Sequence, residues 1–308
     1  MPVKKVIVST TINPPTEAIR RFDAMEGWEL IVVGDKKTPA DYRLERGLYV
    51  TPAMQEDLDK GLSDALGWNC IQRRNMGFVI AYERGADVVA TVDDDNIPYE
   101  GWGTGLLVGT EPVGRLFKTD LPAFDPVGAT TYRHLWHRGF PLQLLHKRDY
   151  SRVTDGAALG RCDVQADFWD GDPDIDALCR MEHRPDCRFD AAGFPLASDA
   201  WSPFNSQNTF LTRAALRHYF MFPGVGRMDD IWGAYYLQAK GFRVVYAKAS
   251  VRQDRNVHDF TKDMVGEFLG YEKNPRLIEA LKKDPESIRQ FLHESSAKAF
   301  DLYRRRLS

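Results

Sequence analysis

A chain of 308 residues, 43% hydrophobic and 28% charged, has ordinary globular composition and enough length for one large α/β core with an appended helical segment. Its 41 Lys and Arg against 44 Asp and Glu leave a formal charge of −3, which excludes a global positive field for nucleic acid or an anionic membrane, so any phosphate must be held locally. Four cysteines make no disulfide framework, the first apolar run is too brief for a secretory leader, and no stretch is long enough to span a membrane. The expectation is a cytoplasmic protein with reduced thiols.

The chain starts as strand, loop and helix. Val6, Ile7 and Val8 form an apolar run, Asn13-Pro14-Pro15 breaks it, and Thr16 with Glu17 opens a helical pattern through Phe22. A β-branched run from Trp28 to Val33 completes a strand-helix-strand unit, which implies parallel pairing. Apolar positions at Ile71, Met76, Phe78, Val79 and Tyr82 predict a helix stopped by Gly85. The next strand, Asp87 to Val92, runs directly into Asp93-Asp94-Asp95-Asn96, so three acids stand at the C-terminal edge of a buried strand, where open α/β sheets bind ligands. Residues 101–205 are rich in Gly, Pro and aromatics with poor periodicity and read as a long functional loop region. Beyond it, Ser206–Leu211 reads as a strand, Asp229–Ala239 as a helix, and Phe242–Tyr246 as a strand. The tail from Phe260 onward alternates at helical spacing with a break at Asn274-Pro275.

The acidic triplet carries the most chemistry. In an extended segment Asp93 and Asp95 point the same way and can address one cation while Asp94 points elsewhere; hard oxygen ligands suit Mn²⁺ or Mg²⁺ completed by water and phosphate. A calcium loop is excluded because Ile97 occupies the fifth position and the required glycine is missing. Arg73, Arg74 and Asn75, at the start of the helix that feeds this strand, are candidates for holding a diphosphate. Thr10 and Thr11 at the end of the first strand, together with Asp94, complete that nucleotide-binding set. After the turn Pro223-Gly224-Val225-Gly226, Asp229 is placed to cap a helix and Asp230 to take a proton or steady a sugar. The acids Asp170, Asp172, Asp174 and Asp176 read as a solvated or sugar-binding loop, and Cys162, Cys179, His183 and Cys187 lack the paired spacing of a zinc knuckle. Gly103, Gly105 and Gly109 do not form a dinucleotide fingerprint.

Four segments in the same order, IQRRNMGFVIAYERGADVVATVDDDN, HRGFPLQLL, DPDIDA and GRMDDIWGAYY, resemble the motifs of the reversibly glycosylated polypeptides, which include UDP-arabinopyranose mutases, and of the related STELLO proteins; the resemblance spans most of residues 4–260. It implies a GT-A-type, Rossmann-like fold with a mostly parallel sheet, a UDP-sugar ligand, and manganese or magnesium at Asp93 and Asp95. It also implies nucleotide contacts from Asp35 and Arg74, a self-glycosylation or sugar-diphosphate role for Arg138, and a third metal ligand at His258 in the segment QDRNVHDF. The chain departs from the mutases at Asn96, where they carry cysteine, and at Leu145, where they repeat an arginine. The expected organisation is a catalytic domain over 1–258 with a helical segment over 259–308 packed on it. The leading expectation is a metal-dependent glycosyltransferase acting on a nucleotide-diphosphate sugar and an unknown acceptor. A UDP-sugar pyranose-furanose mutase and a non-catalytic sugar-nucleotide-binding scaffold are the rivals.

Overall fold

The computed structural model describes residues 3–253 and 259–308. Its first half alternates strands and helices: β1 (Lys5–Thr11), α1 (Glu17–Asp23), β2 (Glu29–Gly34), β3 (Leu48–Val50), α2 (Pro52–Leu66), α3 (Arg74–Glu83) and β4 (Val88–Val92). Thr16 and Thr51 start α1 and α2 by accepting backbone N–H bonds from Ile19 and Met54. Burial on both faces explains the continuous apolar runs of β1, β2 and β4, as expected of strands sandwiched between helices.

The second half adds β5 (Asn96–Pro98), β6 (Val113–Phe117), β7 (Val153–Ala158), β8 (Val164–Gly171), α4 (Ala177–His183), β9 (Leu196–Ser198), β10 (Asn208–Thr212), α5 (Arg213–Leu216), α6 (Asp229–Ala239), β11 (Val244–Gln253), α7 (Phe260–Lys283) and α8 (Glu294–Arg306). The sheet order is β3-β2-β1-β4-β10-β8-β11-β9-β6-β7, with β5 beside β11. From β3 to β11 the central sheet is mostly parallel, since only β10 runs against its neighbours.

This direction pattern positions the site. Because β1, β2, β4, β8 and β11 run alike, their C-terminal ends share one edge, and because β10 is reversed, its entry at Asn205–Gln207 joins them. Residues distant in sequence are thereby gathered along one cleft line.

Two expectations are corrected. The region 101–205 is not one long loop: it contributes β8, the eight-residue central strand VQADFWDG, whose two acids hid its burial from any periodicity count. Nor does the tail break at Asn274-Pro275. Helix α7 runs through Pro275 because Asn274 is buried and fixed, donating to Gly139 O at 2.9 Å and accepting from the Trp232 indole at 2.9 Å, which offsets the lost backbone bond. The helical tail packs on the same core as the sheet, with Phe300 and Tyr303 against Phe220.

Candidate active site

Two clefts adjoin at the strand edge. The first, about 270 Å³, is walled by the ends of β1 and β2 (Thr10, Thr11, Asp35), by Cys70 and Ile71, and by Asp93, Asp94 and Asp95. The second, about 260 Å³, is walled by Asp93 and Asp95 again, then Gln72, Arg138, Asp174, Ser206, Arg227, Asp229, Asp230 and Gln253. Asp93 and Asp95 therefore stand at the junction, while Asp94 belongs to the first cleft alone; the triplet is a turn rather than the extended segment expected, with Asn96 donating its N–H to Asp93 O at 3.4 Å.

Each acid of the triplet is held differently. Asp93 Oδ1 accepts from Arg74 at 2.7 Å, and the Arg74 terminal nitrogens also donate to Ser206 O at 2.8 Å, Ser206 Oγ at 3.1 Å and Thr10 Oγ1 at 3.1 Å, while its Nε is buried with no acceptor among the described residues. Asp94 accepts from Thr11 at 2.5 Å and from Asn13 at 3.2 Å, tying the loop after β1. Asp95 receives the Gln253 amide at 3.5 Å. The Gln253 carbonyl oxygen is buried with no donor among the described residues, on a side chain that lines the second cleft. Asp35 accepts from the backbone N–H groups of Lys36 at 2.6 Å and Cys70 at 3.0 Å, which pins the rim of the first cleft.

The basic and amide side chains expected to hold a diphosphate are turned to other work. Arg73 is fully buried, donates to Gln55 at 2.8 Å and to Ser63 O at 2.8 Å, and stacks 3.7 Å from the Trp68 ring. The Asn75 amide closes a reciprocal pair with the Met221 backbone at 2.8 and 3.0 Å. Arg74 lies beneath Asp93 as its counter-ion. The three share a helix start but address different sides, because successive helical residues diverge by about 100°. His258 lies outside the described residues.

Around the second cleft a buried ion-pair network replaces the expected open acids. Arg138 grips Asp174 through Nε at 2.9 and 3.0 Å and Asp230 through both terminal nitrogens at 3.0 and 3.1 Å; it also donates to Arg227 O. Burial alone would lower its pKa, but Asp174 and Asp230 carry it well above the ordinary value. Asn205 donates to Asp174 at 2.9 Å, and Ser206 donates its N–H to Asp230 at 2.9 Å. Gly139 permits this closeness: its φ is +84°, and a Cβ there would collide with Ile231 on α6. Asp174 and Asp176 are fully buried, so the acidic run is not a solvated loop; Asp176 caps α4 at 2.9 Å.

Neither acid at the start of α6 sits as expected. Asp229 does not cap the helix: Met228 precedes it without a side-chain bond, and Asp229 is the first helical residue. Its carboxyl accepts from Gln72 at 2.7 Å in the second cleft, and burial, with Asp230 adding to it against Arg138, pushes its pKa up to about 7. Asp230, expected to be free for proton transfer, is instead saturated by Arg138 and Ser206. Gln72, Gln253 and Ser206 were missed in the sequence because single amides and hydroxyls carry no pattern; Asp174 lay within the DPDIDA motif but only its burial beside Arg138 shows its use.

Cys162, Cys179 and Cys187 are buried free thiols, and among the described residues no three His, Cys, Asp or Glu side chains cluster as metal ligands. Among the described residues no helix is long and apolar enough to cross a membrane.

No family model matches the chain. It is 25% identical over 280 residues to "Probable glycosyltransferase STELLO2" and to "Probable glycosyltransferase STELLO1" of Arabidopsis thaliana, an alignment covering 82% of this chain and 36% of each relative. The chain thus spans about a third of the length of these curated relatives. Among solved structures, a mycobacterial protein aligns over 88% of this chain and 74% of its own at TM-score 0.44 and 13% identity. Glucosyl-3-phosphoglycerate synthase of Mycobacterium tuberculosis, in complex with Mn²⁺, UDP-glucose and phosphoglyceric acid, aligns over 95% of this chain and 82% of its own at TM-score 0.41 and 12% identity. The chain is thus similar to a third of two relatives described as probable glycosyltransferases, and its α/β sheet carries the two clefts at one shared edge.

Proposed function

We propose that this chain is a metal-dependent glycosyltransferase that takes a nucleotide-diphosphate sugar, a UDP-sugar first among candidates, in the first cleft and brings an acceptor hydroxyl to it from the second. The observation that carries this reading is the placement of Asp93 and Asp95 at the junction of the two clefts, where a diphosphate between nucleotide and sugar would lie.

Charge balance supports the metal. Among the described residues of the first cleft, Arg73 and Arg74 are both committed inside the protein, so the cleft offers a diphosphate no spare guanidinium. The donor set fits a hard cation: Asp93, Asp95 and the buried Gln253 carbonyl oxygen are all oxygen ligands, which suit Mn²⁺ or Mg²⁺. When bound, that cation supplies charge neutralisation on the leaving diphosphate. Asp35, Thr10 and Thr11 shape the nucleotide wall, and Asp94 orders it through Thr11.

Asp229 is the residue that handles the proton. Its carboxyl faces the second cleft, is oriented by Gln72, and titrates near neutrality, which suits a general base. Arg138 and Asp230 hold the wall behind it. A sugar attached at Arg138 would have to dismantle the Asp174 and Asp230 pairs, so the geometry favours a structural arginine over a self-glycosylated one.

Titration calorimetry with UDP in the presence and absence of Mn²⁺ tests the core of this reading. Metal-dependent binding is expected in the wild type and lost in Asp95→Ala; equal affinity in both removes the metal assignment. Incubation with UDP-sugars then separates activities: furanose product without acceptor marks a mutase, transfer or hydrolysis a transferase, and binding without turnover a scaffold.

A further inference from the structure

Resting on that reading, we propose that the second cleft selects an uncharged hydroxyl acceptor, a sugar or polyol, and rejects phosphorylated or carboxylated ones. Its described wall carries Asp93, Asp95, Asp174, Asp229 and Asp230 against two cations, Arg138 and Arg227; with the metal on Asp93 and Asp95 and Arg138 on Asp174 and Asp230, the Asp229 carboxylate is the acid left to face an acceptor. Both cations are already paired with the protein's own acids. Arg138 has donated to Asp174, Asp230 and the Arg227 carbonyl and is buried. Arg227, at the rim, pairs through Nε with Glu267 at 2.9 Å and through one terminal nitrogen with Asp263 at 3.3 Å, both on α7. Recognition of a phosphate or carboxylate requires a guanidinium or ammonium fork facing the ligand, and here both forks face the protein's own acids.

What the cleft does offer suits a hydroxyl. The Asp229 carboxyl can accept an O–H, with Gln72 beside it at 2.7 Å to fix its direction. In the transfer the acceptor oxygen forms its bond to the anomeric carbon as the bond from that carbon to the diphosphate oxygen breaks. The leaving diphosphate keeps the electron pair, and the acceptor's proton passes to Asp229. An anionic acceptor would have to approach this carboxylate and the departing diphosphate together, and like charges so juxtaposed are strongly disfavoured.

The test uses matched acceptors with the purified chain, Mn²⁺ and a panel of UDP-hexoses and UDP-pentoses: glucose against glucose 6-phosphate, and glycerol against glycerol 3-phosphate, with products read by mass spectrometry. The neutral member of each pair is expected to show kcat/KM higher by about 10²-fold, the scale of a close like-charge penalty. Where only UDP-sugar hydrolysis is seen, the neutral compounds are expected to inhibit it competitively and the phosphorylated ones not. Equal or better use, or inhibition, by the phosphorylated member overturns the proposal while metal-dependent UDP binding still stands; loss of that binding would instead overturn the transferase reading beneath it. Gln72→Arg, checked for an unchanged melting temperature, places a cation at Asp229 and is expected to narrow the preference about tenfold. A preference that this variant leaves intact shows that cleft charge is not its origin.

Discussion

Asp229 and Asp230 are sequence neighbours with similar burial, yet their surroundings give them different work. Asp230 is an ion-pair partner, and Asp229 is a carboxyl kept near neutral titration by burial. Asp229→Asn preserves the Gln72 bond but removes the base, so turnover should fall by roughly 10² to 10⁴-fold, with the melting temperature at pH 8 unchanged or higher. Retention of full activity would remove the base assignment. In the wild type, kcat/KM should drop below pH ~7 as Asp229 takes up its proton. Asp174→Asn leaves Arg138 short of one counter-charge in a buried site, and breaking such a pair costs about 3–5 kcal/mol. Denaturant unfolding should therefore separate it from Asp229→Asn: a large stability loss in the first, none in the second. Should Asp174→Asn prove neutral, the Arg138 network is not what holds the second cleft.

Among elements, the C-terminal helices brace the edge that carries the two clefts. Glu267 on α7 pairs with Arg227 and accepts the Ala177 N–H at the start of α4, while Asn274 ties α7 to Gly139 and Trp232. Helix α8 seats Phe300 among Phe220, Phe222 and Tyr236, which belong to α6 and the turn before it. Phe300→Ala should destabilise by about 3–5 kcal/mol, the cost of a fully buried aromatic with its cavity. Because Phe222 donates its N–H to the Asp229 carbonyl at 3.1 Å, activity should be lost at lower temperature than in the wild type. A thermal inactivation series checks this; coincident curves for variant and wild type would separate the tail from the site and argue for an independent helical segment beyond residue 259.

Across the whole molecule, stability should depend on pH in a direction opposite to that of most carboxylate-rich proteins. Burial raises the pKa of Asp167, Asp176 and Asp229 to about 7. The folded chain therefore binds protons at these sites that the unfolded chain has released, so their contribution is fully present below pH ~4 and is lost as pH rises through ~7. Urea midpoints should fall between pH 5 and pH 8, and Asp176→Asn and Asp229→Asn should each reduce that fall. Midpoints that rise over this window would mean that these carboxyls are ionised in the folded state.

The sequence by itself determined what depends on neighbours along the chain. The β-branched runs of β1, β2 and β4, the Thr16 cap, the span of α6, and the acidic triplet at a strand end all follow from local pattern, whereas the turn that the triplet makes, with Asn96 donating to Asp93 O, replaces the extended alternation expected of it. Only the tertiary structure decided what depends on residues far apart. Arg73 and Asn75 point into the protein because Gln55 and Met221 are there to receive them, and β8 is central despite its acids because β10 and β11 enclose it. The different surroundings of Asp229 and Asp230 were hidden for the same reason: nothing adjacent in sequence announces that Arg138, 92 residues away, pairs with Asp230 and not with Asp229. Local propensity and periodicity are written in a few consecutive residues, whereas the pairing of buried charges is set by which strand ends the parallel sheet brings to one edge.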